Sequence, residues 1–237
     1  MKCALLINGN YRTFDRCKES ILNETKFLNP DIFLNPYDKR YCYHHCVQGS
    51  IGFHGEETIQ DEHFQGINFA NIRIDSYDYY VQSFDRHILP NIHPKMVLEN
   101  GSSFLQITKW LEGINMITDY ESANHMKYDI IILTRFDVMF NSLIHLDFSD
   151  IDKKVIMNKC SMGFANDQIL ISTKENLVKI LRFMQKEFYD YTIPTSNDTI
   201  PHRVMKNSID SCGIIHEEHS KLLKCILREN NFECPVA

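Results

Sequence analysis

The sequence predicts an α/β fold of three layers around a central, mostly parallel sheet. Three observations carry this expectation. The run Ile130-Ile131-Ile132-Leu133 is a short, unbroken β-branched and aliphatic stretch of the kind found in strands buried on both faces. The first 35 residues read strand, turn, helix, strand, which is a β-α-β unit and calls for a parallel crossover. Strand and helix patterns then keep alternating toward the C-terminus, as they do when helices cover both faces of one sheet.

Taken in order, Cys3 to Asn8 is the first strand, and Asn8-Gly9-Asn10 is a turn. A helix follows over Thr13 to Leu28, with Phe14, Cys17, Ile21, Leu22 and Leu28 on one face. Asp31 to Asn35 is the second strand. From 37 to 66 the periodicity dissolves into tyrosines, histidines and glycines, which reads as a loop-rich insertion rimming a cleft. Asn71 to Ile74 is a short strand and Tyr77 to Leu89 a helix. A long helix over Ser102 to His125 places Phe104, Ile107, Leu111 and Ile114 at spacings of three and four. It leads into the strand that begins at Asp129. Val155 to Met157 and Gln168 to Ser172 are further strands. Helices over Lys174 to Tyr189 and Ile200 to Ser208, a strand Gly213 to His216 and a closing helix to Arg228 complete the chain. No linker, repeat or low-complexity run divides the 237 residues, so one domain is expected over 1–237.

A hydrophobic content of 43% with 24% charged residues is ordinary for a globular protein. The net charge of -6 argues against a general nucleic-acid binder, which carries a basic face. The apolar run after Met1 breaks at Asn8-Gly9-Asn10, too short for a signal peptide or a membrane span, so no transmembrane segment and a cytoplasmic location are expected. Eight cysteines are then expected as thiols, with Cys3, Cys17 and Cys225 as small core residues.

Chemistry is expected at three places. The strand Tyr128-Asp129-Ile130-Ile131-Ile132-Leu133-Thr134-Arg135-Phe136-Asp137 ends in a guanidinium and a carboxylate. In open α/β sheets ligands bind beyond the carboxyl ends of strands, where Arg135 and Asp137 lie. Asp129 is roughly 20 Å away at the strand start. Arg135 and Asp137 either serve a ligand or simply pair with each other at a solvated strand end. The first turn offers Asn8, Gly9, Asn10 and Arg12 at the same sheet edge if the strands are parallel. Gly9 permits close approach to the backbone, and a cation such as Arg12 before a helix works against the macrodipole, which hints at an anion. Asp167, in Asn166-Asp167-Gln168, stands directly before an apolar strand, where it acts as a general base or only caps the loop through an Asx turn. Cys42-Tyr43-His44-His45-Cys46 with His54 and His63 has zinc-binding residue types without a recognised ligand spacing.

Three stretches, Leu5 to Phe14, Tyr128 to Asp137 and Asn166 to Gln168, together resemble nucleotide-sugar glycosyltransferases of the GT-A fold, of the bacterial and large-virus surface-glycan type. The resemblance runs from the N-terminus to about residue 180 and implies a Rossmann-like GT-A architecture. It further implies a UDP- or GDP-sugar donor, held by Asn8, Gly9, Asn10, Arg12, Arg135 and Asp137, and a glycan or glycolipid acceptor. Such enzymes carry an Asp-x-Asp motif that holds a divalent ion on the diphosphate. Here Arg135-Phe136-Asp137 replaces its first carboxylate by a cation. Either Asp137 still holds Mn²⁺ or Mg²⁺, or Arg135 meets the phosphates itself while Asp137 orients it. The resemblance implies Asp167 and Arg135 as catalytic residues: by position Asp167 is the acceptor-activating base if the enzyme inverts configuration, and only positions the acceptor if it retains it. The host cytoplasm is the expected location if the source is a virus. The competing readings are a catalytically silent nucleotide- or glycan-binding module on the same fold and a zinc-binding protein built around Cys42 to His63.

Overall fold

The structure, a computed structural model, describes residues 1–40, 57–92, 94–159, 165–190, 200–220, 222–227 and 233–235. Strand β1 (Cys3–Gly9) is followed by helix α1 (Phe14–Thr25), a 3-10 turn (Lys26–Leu28) and β2 (Asp31–Pro36), so the β-α-β unit forms as the sequence predicts. Then come β3 (Asn71–Ile72), α2 (Tyr77–Ser83), α3 (Pro94–Ala123), β4 (Ile130–Arg135), β5 (Val138–Phe140), β6 (Lys154–Lys159) and β7 (Ala165–Ser172). Helices α4 (Lys174–Asp190) and α5 (Ile200–Ser211) precede β8 (Ile215–His219), β9 (Leu223–Leu227) and β10 (Glu233–Pro235).

The central sheet has seven strands in the order β3-β2-β1-β4-β7-β6-β8. Strand β7 alone runs against the others, paired antiparallel to β4 and β6, while the remaining pairs are parallel. The expected mixed architecture with a mostly parallel sheet is therefore present. A second sheet, β10-β9-β5, is antiparallel. It corrects one expectation: where a closing helix to Arg228 is expected, the chain forms β9 against β5. The apolar run of residues 222–227 is short enough to serve either element, and pairing with a distant strand decides it.

Side chains alternate across β1 with period two, and this sorts them into two cores. Ala4 and Leu6 pack on one side with Trp110 and Ile114 of α3, Ile180 and Leu181 of α4 and Met205 of α5. Cys3, Leu5 and Ile7 pack on the other with Phe14, Cys17 and Ile21 of α1. Three layers follow from that division. Ile130, Ile131, Ile132 and Leu133 are fully buried, each contributing about 1.5–3 kcal/mol of transfer free energy. Burial pushes the Cys3 thiol up to about 12, with nearby Asp31 adding to it, so this cysteine is a packing residue and not a nucleophile. Cys17 is likewise buried, and the side chain of Cys225 lies outside the described residues.

Helix α3 reaches close to the sheet at Gly113. A Cβ there would stand 2.5 Å from Asn8 Nδ2 and 2.8 Å from Leu6 Cδ2. The missing side chain lets the helix lie directly under the end of β1.

Candidate active site at the tips of the first and fourth strands

Strands β1 and β4 are parallel neighbours, with Asn8 opposite Arg135, so their C-terminal ends emerge together. The first turn and the Arg135-Phe136-Asp137 segment thus share one edge of the sheet. Asp129 is at the other end, where its Oδ2 accepts a 2.6 Å bond from the Lys2 amide.

Gly9 has φ +105°, a conformation that favours glycine, and open space lies where a side chain would be. Asn8 is buried beneath it. Its Nδ2 donates to the Lys109 carbonyl of α3 at 2.9 Å and to Asn35 Oδ1 at 3.3 Å. Asn10 lies one residue beyond Gly9. Arg12 is left-handed at φ +41°, an uncommon state for a residue with a side chain. The chain re-enters helical geometry at Phe14, whose amide donates to the Tyr11 carbonyl at 3.0 Å.

Asp137 is the centre of the arrangement. It is 1% exposed, and its Oδ2 accepts from Arg12 Nη1 at 2.7 Å and from Arg135 Nη2 at 2.7 Å. Its Oδ1 accepts from Arg135 Nε at 2.9 Å. Two guanidiniums therefore share one buried carboxylate, and these three groups counted by themselves sum to one positive charge. The guanidiniums are 21% and 15% exposed, so they form the accessible side while the acid is hidden behind them. A divalent ion seeking either oxygen of Asp137 would compete with an arginine already bound there. Among the described residues, no group of three or more His, Cys, Asp or Glu side chains is arranged to hold a metal ion.

Phe136 between the two charged residues is fully buried. It meets Phe14 at 5.0 Å, Tyr11 at 6.0 Å and Phe64 at 6.3 Å between ring centroids. This aromatic cluster fastens the first turn and the start of α1 to the tip of β4. Its partner Phe64 ends a 3-10 turn (Asp61–Phe64) inside the predicted insertion. Of the zinc-type residues, His63 bonds to Glu57 through Nε2 at 3.2 Å. Cys42, His44, His45, Cys46 and His54 lie outside the described residues.

Because β7 is antiparallel to β4, with Thr134 opposite Ile169, its start lies at the edge where β4 ends. Asp167 is two residues before Ile169, and its backbone is therefore at the same edge as Arg135 and Asp137. The strand starts three residues earlier than the sequence predicts, so Asp167 is part of β7 and not of the preceding loop.

Several residues bearing on the site escape sequence reading. Lys109 on α3 is 1% exposed. Its ammonium pairs with Asp75, lies 4.5 Å above the Tyr37 ring and donates to the Pro36 carbonyl at 3.4 Å. Asp75 also accepts from Asn35 Nδ2 at 3.0 Å and Arg73 Nε at 2.7 Å. Burial works to raise the Asp75 carboxyl, but Lys109 and these hydrogen bonds outweigh it and hold the acid below its ordinary range. The signal for Lys109 is a cation four residues from both buried Leu105 and Gly113, on a helix face that must touch the sheet.

Among the described residues, cavities also lie away from this edge. One of about 840 Å³ runs between α3 and α4 beside Leu111, Val178 and Arg182, and one of about 720 Å³ adjoins Ile59, Gln65 and Ile74. No helix among the described residues is long and apolar enough to cross a membrane.

No protein-family model matches the chain, and no curated protein matches it. Among solved structures it is similar to the apo-form glycosyltransferase GlyE of Streptococcus pneumoniae TIGR4, with 9% identity and a TM-score of 0.42. That alignment covers 92% of this chain and 45% of the other, so the chain spans about half the length of the structure it resembles.

Proposed function

We propose that the protein is a glycosyltransferase that moves a sugar from a nucleoside diphosphate donor to a hydroxyl of a glycan or glycolipid. The observation that supports this reading most strongly is the juxtaposition of Arg12, Arg135 and buried Asp137 beside the open backbone of Gly9, at the carboxyl edge of a mostly parallel sheet. An excess positive charge on planar forks suits the two phosphates of a nucleotide sugar.

In this reading the diphosphate lies across Arg12 and Arg135, with Gly9 and Asn10 lining its approach. Asp137 orients both forks, and Asn8 braces the turn from below. The guanidiniums, and not an ion on Asp137, neutralise the charge that grows on the departing diphosphate. Asp167, on the neighbouring strand at the same edge, takes the proton of the acceptor hydroxyl. The acceptor oxygen forms its bond to the anomeric carbon as the bond from that carbon to the diphosphate breaks, with the electron pair leaving on the phosphate oxygen.

A panel of UDP-, GDP-, CMP- and dTDP-sugars, assayed for release of the nucleotide, tests this reading. One donor is expected to turn over, and Asp167→Asn is expected to lower transfer about 100-fold or more while leaving donor affinity unchanged. Binding of a donor with no turnover under any acceptor would instead support the silent binding module.

A further inference from the structure

Arg12 reaches Asp137 from a left-handed backbone, and something must hold it there. Arg40, 28 residues downstream at the end of the segment after β2, grips Arg12 on both sides of its peptide unit. The Arg12 amide donates to the Arg40 carbonyl at 3.0 Å, and Arg40 Nε donates to the Arg12 carbonyl at 3.0 Å. The remaining nitrogens of the Arg40 fork are anchored in turn. Nη1 donates to Glu57 Oε2 at 2.6 Å and Nη2 pairs with Asp15. The guanidinium also lies 5.3 Å above the Tyr11 ring, while Tyr11 donates its hydroxyl to Asp15 Oδ1 at 2.5 Å. The hydrogen bond from Arg40 is the first cause that holds the Glu57 carboxyl below its ordinary range, with His63 adding to it.

We infer that Arg40 is a positioning residue of the anion site, acting through Arg12 and not on the ligand. Its planar fork closes a clasp between α1, the first turn and Glu57, and the clasp turns the Arg12 guanidinium onto Asp137. Lysine cannot take its place, because a single ammonium cannot bond Arg12 O, Glu57 and Asp15 in one plane. The inference rests on the diphosphate reading of the site above, and it adds a residue that neither strand tip contains.

A double-mutant cycle tests it, with inorganic pyrophosphate as the probe and isothermal titration as the readout. Arg40→Gln is expected to weaken pyrophosphate binding about 10-fold when Arg12 is present and less than about 2-fold in an Arg12→Ala background. Arg40→Lys is expected to behave as Arg40→Gln. Equal losses in both backgrounds, or full retention by Arg40→Lys, would overturn the inference. Where Arg40→Gln does not fold, Glu57→Gln serves in its place, with a smaller loss that again vanishes when Arg12 is absent. If the wild-type protein binds no pyrophosphate, the diphosphate reading itself fails. The role of Arg40 is then decided without ligand by urea unfolding of Arg12→Ala, Asp137→Asn and the double variant. Coupling between Arg12 and Asp137 that collapses in Arg40→Gln supports the clasp, and unchanged coupling overturns it.

Discussion

At the scale of the residue, Asp137 shows how one carboxylate can matter more for what it holds than for what it touches. It is buried and bonded by two arginines, so removing it takes the carboxylate that both cations share. Asp137→Ala is expected to destabilise the fold by about 3 kcal/mol, the low end for breaking a buried ion pair because both arginines keep some solvent. Urea unfolding of the variant measures this, and a loss below about 1 kcal/mol would show that the triad is loosely held. The pair Arg135 and Asp137 was legible in the sequence because an apolar strand that ends in opposite charges is conspicuous. Arg12 was legible as a cation in an electrostatically poor place. Their shared edge was legible too, given parallel strands, but the direct ion pair between residues 12 and 137 was not, since nothing local in the sequence indicates it. Arg40 carries no local signal at all: its importance lies in bonds to Arg12, Asp15 and Glu57 that exist only after folding.

Among the elements, the tight seat of α3 on β1 sets the depth of the site. Gly113 is the contact point, and Gly113→Ala would press a methyl group into Asn8 and Leu6. Overpacking costs about 1–3 kcal/mol, while the gain in helix propensity offsets about 1 kcal/mol. A net loss of up to about 2 kcal/mol in thermal or urea unfolding is expected; a stabilised variant would show that the helix can shift freely. The buried strands and the amphipathic helices were readable from periodicity, as β1, β4, α1 and α4 demonstrate. Two classes of element were not. Strand β5 has three residues, too few to display a period, and β9 has a composition that suits a helix equally well. Both owe their form to pairing with each other across more than 80 residues.

On the scale of the whole molecule, the order β3-β2-β1-β4-β7-β6-β8 brings the carboxyl ends of the six strands that run together and the start of the reversed one to a single edge. The alternating strand and helix pattern announced the layers, but strand periodicity carries no direction, so the antiparallel pairing of β7 with β4 and β6 was not legible. The network of Lys109, Asp75 and Asn35 ties α3, β2 and the segment after β3 together beside this edge, and it gives the protein an acid sensitivity with a defined sign. The Asp75 carboxyl is held below its ordinary value of 3.8 in the folded chain. The unfolded chain therefore binds a proton first as pH falls, so the contribution is full above that value and is lost as pH drops through the lower folded one. Asp75→Asn is expected to be less stable at neutral pH and to flatten the acid limb of the stability curve. An unchanged limb would show that Asp75 does not contribute to the acid sensitivity.

In the proposed reading two guanidiniums, aligned by one buried carboxylate, hold a diphosphate at the edge shared by β1 and β4. Thermal stability measured against nucleotide sugars in EDTA and in Mn²⁺ tests it most directly, because a ligand stabilises the folded state according to its affinity and concentration. A UDP- or GDP-sugar is expected to raise Tm, and the rise is expected to persist in EDTA. Arg135→Ala should weaken binding about 10- to 100-fold, the worth of one charge-assisted hydrogen bond, and remove most of that rise. A rise that appears only with Mn²⁺ and survives Arg135→Ala, or no rise with any nucleotide sugar, would contradict it.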